Sequence, residues 1–107
     1  MKKILEEIET ITFTKHIHEK LKQRSNITKE EIEENLKDSH KLIDAEHQGK
    51  EFKKDKYSLL FSKSNKYDLR VVVSVKDKSL NVITAHIQNI KRRKVYEKWL
   101  KRQKKKR

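Results

Sequence analysis

The sequence contains no cysteine and no proline, and only one glycine, Gly49, among its 107 residues. The absence of cysteine excludes disulfides and thiolate metal sites. A chain with no proline and one glycine is expected to consist of helices and hairpins joined by polar turns. No stretch approaches the ~20 apolar residues of a membrane-spanning helix. We therefore expect a cytoplasmic protein that makes no membrane contact.

Hydrophobic residues are also scarce, at 33%, whereas charged residues reach 42%. Such a composition is found in disordered chains. Here, however, the apolar residues fall into periodic blocks, which a disordered segment would not need. The length suits one domain with one modest core.

The positive charge is concentrated at one end of the chain. Residues 91–107 contain 11 Lys or Arg and one acidic residue, Glu97, so they carry +10 of the net charge of +13. Residues 1–90 have 18 basic and 15 acidic side chains and a net charge of +3. We therefore treat the chain as one domain unit with two parts. Residues 1–90 form the α+β part, and residues 91–107 form a basic C-terminal helix and tail. Charge packed in this way indicates binding to a polyanion such as nucleic acid.

Helical spacing of apolar side chains predicts helices in the first part of the chain. The strongest signal belongs to the third helix, where Thr28 and Glu31 form a capping box. Ile27 and Ile32 occupy the two positions of a hydrophobic staple. The expected helices cover residues 2–9, 15–24 and 29–37, with a final helix from about residue 89.

Beyond residue 39 the apolar period changes to two, which predicts strands. Residues 10–13 are either a connector or a short strand. We expect an edge strand at residues 41–46, a loop at 47–55, and strands at 57–62, 69–76 and 80–88. The fold class is therefore α+β, with N-terminal helices packed on one antiparallel meander of three to four strands, followed by the basic helix.

Residues 14–28, TKHIHEKLKQRSNIT, combine a hydroxyl residue, a histidine two positions later, an acidic–basic pair, an arginine and a second hydroxyl-capped helix. With the RVVV strand at residues 70–73 and the VIT sequence at 82–84, this pattern resembles small toxins of the RelE/ParE superfamily. Within it, the BrnT-like toxins and a related uncharacterised family are the most similar in pattern. The resemblance covers about residues 12–88. One departure is Glu19-Lys20 in place of Glu-Arg, because lysine cannot grip phosphate in the bidentate manner of arginine.

The resemblance implies the helix–helix–sheet plan and a translation-inhibiting endoribonuclease of a toxin–antitoxin system. Such an enzyme needs no metal or other cofactor, and an acidic antitoxin is its expected partner. His16 matches the histidine of the family pattern. The alternative is a non-catalytic RNA- or DNA-binding module on the same fold. A third interpretation is that the basic tail recruits only a protein partner.

Metal-free cleavage of RNA by its own 2′-hydroxyl needs a base, an acid and positive charge on the phosphate. Arg70 is predicted on the strand face opposite the valines, either as a phosphate ligand or in an ion pair with a carboxylate. His86 is the candidate acid or base, with a hydrogen-bonded structural histidine as the alternative. His16 is a third catalytic candidate or a boundary residue that orients its helix.

Whether His86 shares a face with Arg70 depends on the loop between the last two strands. A three-residue loop places the two residues opposite each other, whereas a two-residue loop places His86 on the valine face. We favour the three-residue loop, which pairs Lys76 with Leu80. It would add Ile83, Ala85 and Ile87 to the valine core.

The final helix has an apolar stripe, Val95, Tyr96, Trp99 and Leu100, that would dock it on the domain. Its aromatic side chains are alternatively suited to stacking on unpaired bases. The basic side chains would face outward and contact phosphate, and RNA, free or on the ribosome, is the expected partner. The predicted nucleic-acid-binding residues are Lys91, Arg92, Arg93, Lys94, Lys98, Lys101 and Arg102.

Overall fold

The computed structural model describes residues 1–23, 27–91 and 97–99. Within them the chain is α+β, as predicted. The elements in chain order are α1 (Lys2–Glu7), β1 (Thr10–Phe13), α2 (Lys15–Gln23), α3 (Lys29–Lys37), a 3₁₀ helix (Ser39–Lys41), β2 (Leu42–Glu51), β3 (Lys54–Ser62), β4 (Tyr67–Lys76) and β5 (Ser79–Asn89). No helix in these ranges is long and apolar enough to cross a bilayer.

All five strands belong to one sheet, in the order β1-β5-β4-β3-β2. Strands β2 to β5 each run antiparallel to the next, whereas β1 lies parallel beside β5. The sheet is therefore mixed and five-stranded, which corrects the predicted antiparallel meander of three to four strands. Residues 10–13 form the additional edge strand because Ile11 and Phe13 pack against the hydrophobic core.

Helix α3 has the bounds that its capping pattern predicts. The hydroxyl of Thr28 accepts a hydrogen bond from the backbone N–H of Glu31 at 3.1 Å. Ile27 and Ile32, at the staple positions, are 2% and 0% exposed. The Glu31 carboxylate binds Nζ of Lys63 at 2.6 and 2.8 Å, so it links α3 to the β3–β4 turn.

Helices α2 and α3 cover one face of the sheet, which we call the covered face. Thr14 caps α2 by accepting the N–H of Ile17 at 3.3 Å, and the side chains of Ile17 and Ile32 are fully buried in the core. Each such burial stabilises the fold by about 1.5–3 kcal/mol. The strand residues of the core with no exposed surface are Leu59, Phe61, Leu69, Val71, Val73, Leu80 and Val82.

The predicted edge strand at residues 41–46 is present as β2, which lies at one edge of the sheet but continues to Glu51. The predicted loop at 47–55 is wrong, because the turn consists of Phe52 and Lys53 alone. Both turn residues have positive φ, 51° and 63°. Positive φ at both positions is characteristic of the type I′ turn, whose usual residues are Asn and Gly. The Phe-Lys pair therefore carries no turn signal in the sequence.

Gly49 lies inside β2 instead of in a turn. The pairing of β2 with β3 is irregular between His47 and Gly49, and Gly49 has φ 114°. A side chain is strained at this φ even though nothing lies within 4 Å of the position of an added Cβ. The only glycine thus serves a β-bulge.

The β4–β5 hairpin closes through a two-residue turn, Asp77 and Lys78, so the predicted three-residue loop is wrong. A β-bulge then restores the register that the longer loop would have given. Two successive residues of β4 pair with Val82 and Thr84 of β5, and Ile83 between them is bypassed. Beyond the bulge the two faces of β5 are exchanged.

Of the predicted basic C-terminal helix and tail, the structure describes residues 91 and 97–99, which are helical. The other residues of this segment lie outside the described ranges. The prediction of a continuous helix after β5 therefore stays a prediction.

Candidate nucleic-acid interface

The sheet face away from α2 and α3, which we call the outer face, carries mainly polar side chains. Cross-strand pairing brings residues of β3, β4 and β5 into rows on this face, because directly opposite residues project to the same side. The outer-face residues of these three strands are Lys54, Lys56, Ser58, Leu60, Ser62, Asp68, Arg70, Val72, Ser74, Lys76, Ser79, Asn81, Thr84, His86 and Gln88.

Arg70 is half-buried near the centre of the outer face. Its Nε donates a hydrogen bond to Oε1 of Gln88 at 3.2 Å, and its Nη1 donates to the hydroxyl of Ser58. None of the ion pairs within the described ranges involves Arg70, so the structure does not show the alternative of a carboxylate partner. Both of these partners are neutral, so no carboxylate of the described residues neutralises the guanidinium, which is suited to binding an anion.

Arg70 and His86 stand directly opposite each other across β4 and β5. Such a pair has Cβ atoms about 4.5–5.5 Å apart. The two residues therefore share the outer face, as predicted, although the bulge at Ile83 and not a three-residue loop brings them together. The structure thus unites two of the three predicted catalytic residues.

His16 does not join them. It is exposed on α2, and the adjacent Ile17 is buried in the core on the covered face. His16 and Arg70 consequently lie on opposite sides of the sheet, and one RNA phosphate cannot contact both.

The neighbours of Arg70 on the outer face are shielded from solvent. Leu60, its cross-strand partner on β3, is 4% exposed, and Ser58 is 3% exposed. Asp68, two residues before Arg70 in β4, is fully buried. Charge interactions are stronger in such surroundings than in bulk water. Because side chains alternate along a strand, the sequence could have placed Asp68 on the same face as Arg70, two residues later. The contacts of Ser58 and Gln88 with Arg70 depend on strand register and could not be predicted in this way.

Two of the seven predicted basic contacts fall within the described ranges. Lys91 and Lys98 are both exposed, and the N–H of Lys91 donates to Oδ1 of Asn89 at 2.9 Å. Trp99, from the predicted apolar stripe, is 52% exposed. The other five predicted contacts, Arg92, Arg93, Lys94, Lys101 and Arg102, lie outside the described residues.

A second polar feature occupies the end of the outer face near the β2–β3 turn. A cavity of about 400 Å³ is bordered by two lysines, Lys54 and Lys76. Ser74, Asn81 and Thr12 also line it. Its lining combines two lysines and one carboxylate, Asp77, with hydroxyl and amide groups. Lysine, hydroxyl and amide groups are the partners of phosphate and of nucleotide base edges.

The resemblance to RelE/ParE toxins rests on residues 14–28, 70–73 and 82–84. In the structure these segments contribute α2, the middle of β4 and the bulged part of β5. No family model matches the chain, and no match was found among curated proteins or solved structures. Membership of this superfamily stays a prediction.

Proposed function

We propose that this chain is a toxin-type, metal-independent endoribonuclease that cleaves RNA and thereby inhibits translation. The observation that carries the proposal is the Arg70–His86 pair on adjacent central strands, in which the guanidinium has no carboxylate partner among the described residues. Arg70 and His86 supply two of the three groups that metal-free RNA cleavage requires, the positive charge on the phosphate and one proton-transfer group.

In this mechanism the 2′-oxygen of a ribose attacks the adjacent phosphorus and the bond from phosphorus to the 5′-oxygen breaks. The products are a 2′,3′-cyclic phosphate and a 5′-hydroxyl. Arg70 binds the non-bridging phosphate oxygens, whose negative charge grows in the transition state. His86 takes the proton of the 2′-hydroxyl or supplies one to the leaving 5′-oxygen.

A second proton-transfer group is needed, and His16 on the far side of the sheet does not supply it. The nearest other titratable group on the outer face along β4 is Asp68.

The basic segment at residues 91–107 supplies affinity for RNA or for the ribosome. An acidic antitoxin that covers this charge would inhibit the enzyme.

The decisive experiment incubates the purified protein with mRNA, with tRNA, and with ribosomes plus mRNA, in EDTA, beside Arg70→Ala and His86→Ala. We expect discrete cuts with cyclic-phosphate ends and a loss of about 10²–10³-fold in rate for Arg70→Ala, with most of the binding retained. Arg70→Lys is the matched control, because it keeps the charge and removes only the planar fork. Binding without cuts on any of these substrates would contradict the nuclease.

The second candidate is a non-catalytic RNA- or DNA-binding module. The burial of Ser58, Leu60 and Asp68 beside Arg70 favours it, because these shielded neighbours restrict the approach of an RNA backbone to His86. Here affinity comes mainly from residues 91–107, so truncation after Asn89 should weaken binding and flatten its salt dependence. An unchanged salt slope after truncation would contradict the role of this segment in either candidate.

A further inference from the structure

The tip of the β2–β3 hairpin has a feature that the fold does not need. Phe52 is 86% exposed, the highest value among the large apolar side chains of the described ranges. Its backbone has φ 51°, a conformation that is unfavourable for a bulky side chain. The ring therefore gives no burial energy, and the backbone is strained. Strain of this kind concentrates at functional positions.

The charge around Phe52 is positive. Residues 50–56, KEFKKDK, contain four lysines and two acidic residues, a net charge of +2, and all four lysines are exposed. One of the two acids, Asp55, is engaged by Nε2 of His47 at 3.0 Å. An exposed aromatic ring among exposed lysines is the combination that single-stranded nucleic acid recognises, since bases stack on the ring and lysines contact the phosphates.

The cavity of about 400 Å³ adjoins this tip, because Lys54, the first residue of β3, is part of its lining. Inside it the hydroxyl of Thr12 donates to Oδ1 of Asn81 at 3.0 Å. This bond fixes the amide of Asn81, whose nitrogen donates to no protein group within the described ranges. Lys76 borders the same cavity and adds a second cation, so two lysines and one carboxylate, Asp77, leave the lining with a net positive charge. The cavity thus offers phosphate ligands and an amide donor within one concave site.

The lysines also define a direction. Lys54, Lys56 and Ser58 occupy alternate positions of β3 on the outer face, about 6.8 Å apart, and Ser58 is hydrogen-bonded to Arg70. The line from Phe52 to Ser58 is about 20 Å long at the usual rise of a strand. A membrane would be contacted by the tip alone, whereas this arrangement extends from the tip along one sheet face. It therefore favours an extended nucleotide chain.

We propose that the β2–β3 tip and the adjoining cavity bind an unpaired segment of RNA, with a base stacked on Phe52 and phosphates held by Lys54 and Lys76. This inference rests on the proposed function in that it requires the chain to bind RNA. It adds to that function a selection for single-stranded RNA, because the faces of paired bases are covered in a duplex. The bound strand continues along β3 towards Arg70.

The test measures fluorescence anisotropy of a labelled 12-nucleotide oligouridine and of a duplex of the same length, with the full chain in EDTA. Phe52→Leu removes the aromatic face and keeps an apolar side chain in the same strained turn, which Gly or Asn would relax. We expect it to weaken binding of the single strand by roughly ten-fold and to leave duplex binding within two-fold and the melting temperature unchanged.

The lysines are tested by the double variant Lys54→Ala/Lys76→Ala. It should lower the slope of log K against log salt by about 1.4 for the single strand, at about 0.7 per phosphate contact. The matched control, Lys37→Ala/Lys66→Ala, removes the same charge from exposed lysines away from the cavity and should leave the slope unchanged. Phe52→Trp provides a direct readout, because stacking on a base should quench its fluorescence beyond the response of the native Trp99.

Equal losses for single strand and duplex in Phe52→Leu, or no loss for either, would overturn the inference. The same holds if Phe52→Leu abolishes binding to phosphatidylserine vesicles while RNA affinity is unchanged, which would assign the tip to a membrane surface. Wild-type affinity for RNA in Phe52→Leu, together with cleavage that Arg70→Ala abolishes, would contradict this inference alone. Absence of RNA binding by the wild-type protein would contradict the proposed function itself.

Discussion

The two faces of the sheet are built from the same strands but differ in what holds their side chains. On the covered face, side chains such as Phe61 and Val71 are fully buried against α2 and α3. On the outer face, the half-buried Arg70 is held by hydrogen bonds to Ser58 and Gln88. The covered face therefore depends on apolar burial throughout, whereas the outer face combines a few buried residues such as Leu60 with directional polar contacts.

This difference separates the part of the molecule that stabilises the fold from the part that carries the candidate functional residues Arg70 and His86. Burial stabilises in proportion to the apolar area removed from water, and it dominates the covered face. A hydrogen bond adds only about 0.5–1.5 kcal/mol net, so polar groups on the outer face can be altered at modest cost to stability. We expect substitutions on the two faces to differ accordingly.

Phe61→Ala on the covered face is expected to have the largest effect. It should destabilise the protein by about 3–5 kcal/mol, because a fully buried aromatic side chain leaves a cavity. Urea unfolding followed by circular dichroism measures the change. The control is Val72→Ala on the outer face of β4, half-buried, which should cost less than about 1 kcal/mol. Similar losses of unfolding free energy for the two variants would contradict the distinction between the two faces.

Arg70→Ala should lie between these values, at about 1–3 kcal/mol, because the buried hydroxyl of Ser58 loses its partner. A double-mutant cycle with Ser58→Ala isolates the contact, and we expect a coupling energy of about 0.5–3 kcal/mol. The measurement is again urea unfolding. A cost for Arg70→Ala as large as that of Phe61→Ala would mean that the outer face is a second core and that Arg70 is mainly structural.

Thr28→Ala tests the helical layer that makes the covered face possible. The variant removes the bond from the N–H of Glu31 to the Thr28 hydroxyl, at a cost of about 1 kcal/mol. Thr28→Ser keeps the hydroxyl and should be nearly neutral. Thermal melting of both variants measures the contribution of the hydroxyl, and we expect a lower melting temperature for Thr28→Ala than for Thr28→Ser. Equal melting temperatures for the two variants would contradict the capping role of the Thr28 hydroxyl.

The same contrast explains which parts of the fold the sequence could predict. The start of α3 at Thr28 was predictable because a capping box is a signal within a few neighbouring residues. The covered face was predictable because alternation in β4 marks its valines. The pairing of β1 with β5 was not, since a parallel pair depends on residues far apart in the chain, and no local pattern names the partner.

The outer face was predictable only in part. The alternation that buries Val71 also placed Arg70 on the opposite side, but its partners depend on register. The bulge at Ile83 gave the predicted pairing of Arg70 with His86 through a different turn, and Ile83 itself is half-exposed instead of joining the core. The resemblance supplied His16, but α2 places it on the other side of the sheet, because Ile17 must face the core.

The smallest effect is expected at Asp38, which lies between α3 and β2 and is 73% exposed. Its Oδ1 is 3.0 Å from Nδ1 of His40 and accepts the His40 backbone N–H at 3.4 Å. These two bonds, the side-chain bond first, lower the pKa of Asp38 below 3.8. Because the folded-state pKa of Asp38 is lower than its unfolded-state pKa, the stabilisation is present above the unfolded value and is lost as pH falls through the folded value.

Carboxyl-carbon NMR titration should show that His40→Ala raises the pKa of Asp38 towards 3.8. The control is His47→Ala, which should not change this pKa, because the ring of His47 contacts Asp55 and not Asp38. A pKa of Asp38 that is the same in His40→Ala and the wild type would show that this contact is absent in solution.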